Sequence, residues 1–169
     1  MSRADRPSAL LVPCFVHHTL CWREMSQTTN RDLSWVLGDF VARVTGVQAA
    51  LLASADGLKM AAAGVDDGRS DAMAAVLCGL HSLAKNGISH LGVEGAVDQV
   101  VVEHEQAYLI VMSADGMAPR GDVPVVGCLL GVLAKREDCD LGVIGHEMAT
   151  LLGALQEYMV TGRRDAHLG

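Results

Sequence analysis

Aromatic side chains are scarce in this chain: two Trp, two Tyr and two Phe among 169 residues. A core built mainly on aromatic packing is therefore excluded, and Val, Leu, Ile, Met and Ala must supply it. Positive charge is also short. Thirteen Lys and Arg stand against 20 Asp and Glu, for a net charge of -7. A surface of that sign repels phosphate backbones and anionic lipid heads, and no basic stripe interleaved with aromatics offsets it, so nucleic-acid binding is not expected. No apolar run is long enough to span a bilayer, which takes roughly 20 residues. The longest, Val123 to Ala134, is interrupted by Pro124, and direct membrane insertion is not expected. Nor do the five cysteines, Cys14, Cys21, Cys78, Cys128 and Cys139, make a disulfide framework, because their number is odd and their spacing irregular. Reduced thiols in a cytoplasmic protein are the simplest reading.

Signatures of catalysis are missing as well. A phosphate-binding loop needs glycines followed by Lys and Ser or Thr at the start of a helix. Gly92-Val93-Glu94-Gly95 and Gly127-Cys128-Leu129-Leu130-Gly131 both lack the lysine. His146-Glu147 begins like a zinc-protease helix, but Thr150 stands where the second His is required. There is no Gly-x-Ser-x-Gly elbow. Cys78 and Cys128 lie in apolar runs, where a thiol behaves as a small hydrophobe and not as a nucleophile. Cys14, His17, His18 and Cys21 would share one helix face, yet four ligands in a row fit tetrahedral zinc poorly. No catalytic, cofactor-binding or metal-binding residue is assigned, no cofactor is expected, and the protein reads as a non-enzyme.

The N-terminal part is the least patterned. Arg3 and Arg6 precede the apolar Ala9 to Val16, superficially like a leader, but His17 and His18 end the run and no small-x-small cleavage site follows. Residues 1–28 read as an extension that is either disordered or a mis-called start, translation then beginning at Met25. Residues 29–160 form one domain, and 161–169 a flexible charged tail.

Within the domain the order of elements is legible. Thr29 or Asn30 can cap a first helix whose Leu33, Val36, Leu37, Phe40, Val41 and Val44 recur at helical spacing. Val47 to Ser54 and Leu58 to Ala63 are two strands joined by the Ala55-Asp56-Gly57 turn. Asp66, Asp67 and Ser70 are candidate caps for a second helix, Ser70 to Asn86, closed by Gly87. Val97 to His104, Ala107 to Ser113 and Val125 to Ala134 are three more strands, the last apolar on both faces and so central. A final helix starts near Asp140, with Ile144, Met148, Leu151, Leu152, Leu155 and Tyr158 or Met159 as its stripe. The stretch Ala72 to Leu80 in the second helix has almost no polar residue on any side. Such a helix is covered on more than one face, either by its own domain or by a partner.

From Leu33 onward the sequence resembles the roadblock / dynein light chain family, especially bacterial members encoded in actinobacterial operons beside a sensor kinase and a small GTPase. The residues that carry the resemblance are Leu33-Ser34-Trp35-Val36-Leu37 with Phe40 and Val44, then Gly46-Val47, Ala49 to Ser54, Ser54-Ala55-Asp56-Gly57-Leu58 and Leu80-His81-Ser82-Leu83-Ala84. The resemblance spans roughly Leu33 to Met159. It implies an α/β fold, an α+β sandwich of helix-strand-strand-helix-strand-strand-strand-helix order. Its five-stranded antiparallel sheet would carry the first and third helices on one face and the second on the other.

It further implies a homodimer joined through the second helix (Asp71 to Ala84) and the adjacent strand (Val97 to His104), with Met73, Val76, Leu77, Leu80, Leu83, Val100 and Val102 at the interface. A small GTPase, and a sensor kinase beside it, are the implied partners. The expected function is a non-enzymatic dimeric adaptor that regulates the GTPase. The alternatives are a passive scaffold linking kinase and GTPase, and a small-molecule sensor module, which would need a polar group among the inward positions; none is evident. No arginine finger is identifiable apart from the remote candidate Arg120.

Overall fold

A computed structural model describes residues 33–116 and 127–165, with side chains described as far as residue 156. Thr29, Asn30, Met25, the Cys14–Cys21 cluster and Arg120 lie outside the described residues. The order is α1 (residues 33–43), β1 (Val47–Ser54), β2 (Lys59–Ala63), α2 (Asp67–His90), β3 (Gln99–Glu103), β4 (Ala107–Ser113), β5 (Cys128–Lys135) and α3 (Leu141–Asp165), with a short 3-10 turn at Ala114–Gly116.

The strands form one sheet in the order β2-β1-β5-β4-β3, each neighbouring pair antiparallel. The twofold alternation of strands sorts the core into two layers. Ala50, Leu52, Ile110, Leu130 and Val132 point to one face, where they meet Leu33, Leu37, Phe40 and Val44 of α1 and Ile144, Met148, Leu152 and Leu155 of α3. Leu51, Ala53, Val111 and Leu129 point to the other and meet Ala74 and Leu77 of α2. The expected placement of helices on the two faces is thus observed. Central β5 is apolar on both faces, and both are covered from Cys128 to Val132, while Leu133 is exposed. Phe40 is the one aromatic among the buried hydrophobic residues described.

The expected and observed elements differ chiefly in α2. It starts earlier, at Asp67, with Asp66 as the N-cap whose carboxylate accepts the Arg69 backbone N–H at 3.0 Å. It also runs through Gly87, since one exposed glycine costs a helix only about 1 kcal/mol. The true stop is a Schellman arrangement around Gly92 (φ +78°). There Gly92 donates to the Ser89 carbonyl at 3.0 Å and Val93 to the Ile88 carbonyl at 3.3 Å. The strand bounds shift less: β2 begins at Lys59, β3 is trimmed to Gln99–Glu103, and β5 is described from Cys128 to Lys135.

Two further findings position the rest. Leu77 is 1% exposed and caps Gly131 of β5 so closely that a Cβ there would lie 2.3 Å from Leu77 Cδ1. Inward polar side chains, absent from the sequence reading, are present: Ser70, His81 and Ser113 are all buried. Each has a partner, as buried polar groups require. Ser70 Oγ donates to the Asp67 carbonyl and Lys59 Nζ donates to Ser70 Oγ, both at 2.9 Å. His81 Nε2 lies 3.3 Å from the Val97 carbonyl, and Ser113 Oγ accepts the Asp115 N–H at 3.0 Å.

Candidate interaction surface

Packing against the sheet gives α2 two unlike flanks. On one, Cys78 Sγ donates to the Ala55 carbonyl at 3.1 Å, and Lys59 of β2 pairs with Asp67 at 3.4 Å and Asp71 at 3.3 Å. This flank lies over the β1–β2 turn. Desolvation acts to lower the Lys59 pKa, but hydrogen bonds to Asp71 and Asp67 and their negative charge together raise it. The other flank is apolar and carries Met73, Val76, Leu80 and Leu83, three, four and three residues apart in turn. Met73 and Leu80 are half-buried and pack on the cluster that includes Val100 of β3 and Leu109 of β4, so this flank leans toward the β3 side. Beyond them Val76 is 46% and Leu83 71% exposed. An exposed leucine by itself is ordinary, but an aligned apolar row is not.

Beside this flank lies β3, an edge strand of the sheet. Its register to β4 sets which of its backbone groups are occupied. His104 donates to the Ala107 carbonyl at 2.8 Å and Ser113 to the Asp98 carbonyl at 3.3 Å. Even-numbered residues therefore bond β4, and by antiparallel alternation Gln99, Val101 and Glu103 turn their N–H and C=O groups outward. Val101 and Val102 are both exposed. The end of the strand is fastened: Arg136 reaches Glu103 at 2.6 Å and the His104 carbonyl at 3.4 Å, and stacks over Tyr108 with its centre 5.4 Å from the ring.

Of the residues expected at an interface, Val76, Leu83 and Val102 are exposed, while Met73, Leu80 and Val100 border them from half-buried positions. Leu77 is different. It faces its own sheet and belongs to the core, where its side chain lies over Gly131. Val101 and Leu133 are exposed apolar residues that the sequence reading did not select. The alternation of side chains along β3 puts Val101 on the opposite face from Val100 and Val102, and the sheet order agrees with the edge position that the resemblance implies for this strand. Among the described residues, no group of three or more His, Cys, Asp and Glu could hold a metal ion, and no helix is long and apolar enough to cross a membrane.

This arrangement defines a class, the α+β modules that keep three helices on a five-stranded antiparallel sheet. The Roadblock/LC7 domain model matches residues 33–118. A Roadblock/LC7 domain from Streptomyces avermitilis is 37% identical, with a TM-score of 0.64 over 75% of this chain and 96% of that one. The chain belongs to the Roadblock/LC7 family, whose members are regulatory or adaptor proteins. More distant structures share the fold. The gliding protein MglB from Thermus thermophilus is 20% identical, with a TM-score of 0.60 over 76% of this chain and 89% of that one. MglB of Myxococcus xanthus is 13% identical, with a TM-score of 0.59 over 75% and 86%. No curated protein matches the chain.

Proposed function

We propose that this protein is a non-enzymatic, homodimeric cytoplasmic adaptor that regulates a small GTPase in a bacterial signalling complex. The observation that carries this reading is the open β3 edge lying beside the apolar row Val76 and Leu83 on α2. Two copies related by a twofold axis at Val101 pair Val101 with itself, Gln99 with Glu103 and Val100 with Val102. That register uses every outward backbone group of both strands, about six hydrogen bonds in an antiparallel ladder. A slip that set Glu103 against Glu103 would oppose like charges. The same axis brings the two apolar α2 flanks together. Burying each such side chain fully is worth about 1.5–3 kcal/mol.

Membership of the Roadblock/LC7 family supports the regulatory reading, and the fold shared with the MglB structures is compatible with it. The GTPase and the neighbouring sensor kinase remain the partners that the sequence resemblance implies. No arginine finger is assigned, so an effect on hydrolysis would come from ordering the GTPase. Light scattering at micromolar concentration should report a dimer. Single-turnover GTP hydrolysis by the GTPase encoded beside it, measured with and without this protein, should differ severalfold. A monomer in the first experiment removes the basis of this reading, and unchanged turnover with retained binding reduces it to a passive scaffold.

A further inference from the structure

The polar flank of α2 borders a cleft of about 200 Å³ whose walls include His81, Ser82, Lys85, Ser113 and Asp115. It opens on the side of α2 away from the Met73–Leu83 row, so the proposed pairing through β3 leaves it accessible. Two of its polar side chains are deeply buried yet incompletely used. His81 is 7% exposed, and because a carbonyl can only accept, the Nε2 facing Val97 carries the proton. The other ring nitrogen is then an acceptor with no partner among the described residues. Ser113 is 3% exposed and its oxygen accepts from Asp115 N–H, which leaves its hydroxyl proton to donate. Two opposite charges also face the cleft from different elements, Lys85 from α2 and Asp115 from the turn after β4. Neither makes an ion pair among the described residues.

We infer that the cleft binds a compact zwitterion, a free α-amino acid. Lys85 and the Ser82 hydroxyl on α2 meet the carboxylate; Asp115 and the unprotonated nitrogen of His81 meet the ammonium, and Ser113 adds a donor. The size selects the class. Pockets for drug-sized ligands span about 300–1,000 Å³, and the smaller volume here suits a small amino acid. The uncompensated pair selects against singly charged ligands, since either alone leaves one protein charge facing a like or missing partner.

The test is a ¹⁵N-HSQC titration of the full chain with individual L-amino acids. At least one should give saturable shifts at Ser82, Lys85, Ser113 and Asp115. Its N-acetyl and methyl ester derivatives, each lacking one charge, should fail. Lys85→Met and Asp115→Asn should each weaken binding about tenfold or more, the loss expected for a charge-assisted hydrogen bond. Both residues are exposed, and unchanged spectra elsewhere will show that the variants fold. Binding should persist in a Val101→Pro monomer, which separates this site from the dimer. The inference is overturned if no amino acid saturates these residues, if a singly charged derivative binds as well, or if the two variants bind undiminished.

Discussion

The two edges of the sheet are built differently, and the contrast bears on the pairing proposed above. At the β2 edge the strand is Lys59-Met60-Ala61-Ala62-Ala63 and its pairing to β1 shifts register between Leu52 and Ala53. Lys59 is held there by Asp67, Asp71 and Ser70. A bulge and a lysine are two of the devices that blunt an edge against further pairing. At the β3 edge the strand is Gln99-Val100-Val101-Val102-Glu103, five consecutive partners to β4 without a shift. One blunted edge and one open edge allow a pair and discourage a chain of copies.

The comparison is most severely tested by closing the open edge. In Val101→Pro the lost N–H is one that points outward, so the β3–β4 ladder survives while pairing across the edge does not. The dimer dissociation constant measured by sedimentation should rise at least ~1,000-fold, with the far-ultraviolet dichroism unchanged. Val100→Pro, which removes an inward N–H, should lower the unfolding midpoint as well. Next comes the apolar row. Leu83→Glu places a carboxylate on each of the α2 flanks proposed to pair and should weaken the proposed dimer about 100-fold, as for a buried interface anchor.

The blunted edge can be opened in turn. Lys59→Val should produce concentration-dependent species larger than a dimer, seen by light scattering, and adding Val101→Pro should restore the smaller size. Arg136→Ala, which frees the end of β3, should weaken the dimer only about two- to fivefold, because an exposed ion pair contributes about 0.2–1 kcal/mol.

The smallest effect lies midway between the edges, at the start of central β5. Burial pushes the Cys128 thiol up to about 11, with a hydrogen bond from Gln156 acting the other way and nearby Asp115 adding to the rise. At pH 8 about one such thiol in a thousand is ionised. Cys128 should therefore be alkylated far more slowly than Cys78 in the folded protein, as peptide mapping after iodoacetamide will show. Since the folded state holds the proton more tightly than the unfolded one, the thiol's stabilisation is complete below the unfolded value near 8.5 and is lost as pH rises through about 11. Comparison with Cys128→Ala isolates that loss.

Much of this was readable from the residues. Bounds of β1 and β4 follow from their apolar runs and flanking turns, and the apolar stripes of α1 and α3 from Leu33-Leu37-Phe40-Val44 and Ile144-Met148-Leu152-Leu155, whereas the sharing of one face by those two helices is implied only by the family resemblance. Three things were not readable, each for a physical reason. Gly87 looked like a helix stop, but a glycine ends a helix only where the chain must turn left-handed, and that happens at Gly92. Leu77 is no different in kind from Leu80 or Leu83, and its burial depends on a glycine 54 positions later in the sequence. The cleft draws its walls from α2, β4, β5 and two turns, so no local spacing announces it, and His81 and Ser113 betray themselves only once their burial is seen.

The seat of Leu77 on Gly131 has a corollary for both positions. A Cβ at position 131 would meet Leu77 Cδ1 at 2.3 Å, so a larger residue there makes that side chain move, and a shorter one at 77 leaves a void. That contact joins Ala74 and His81 in setting which side of the helix faces the sheet.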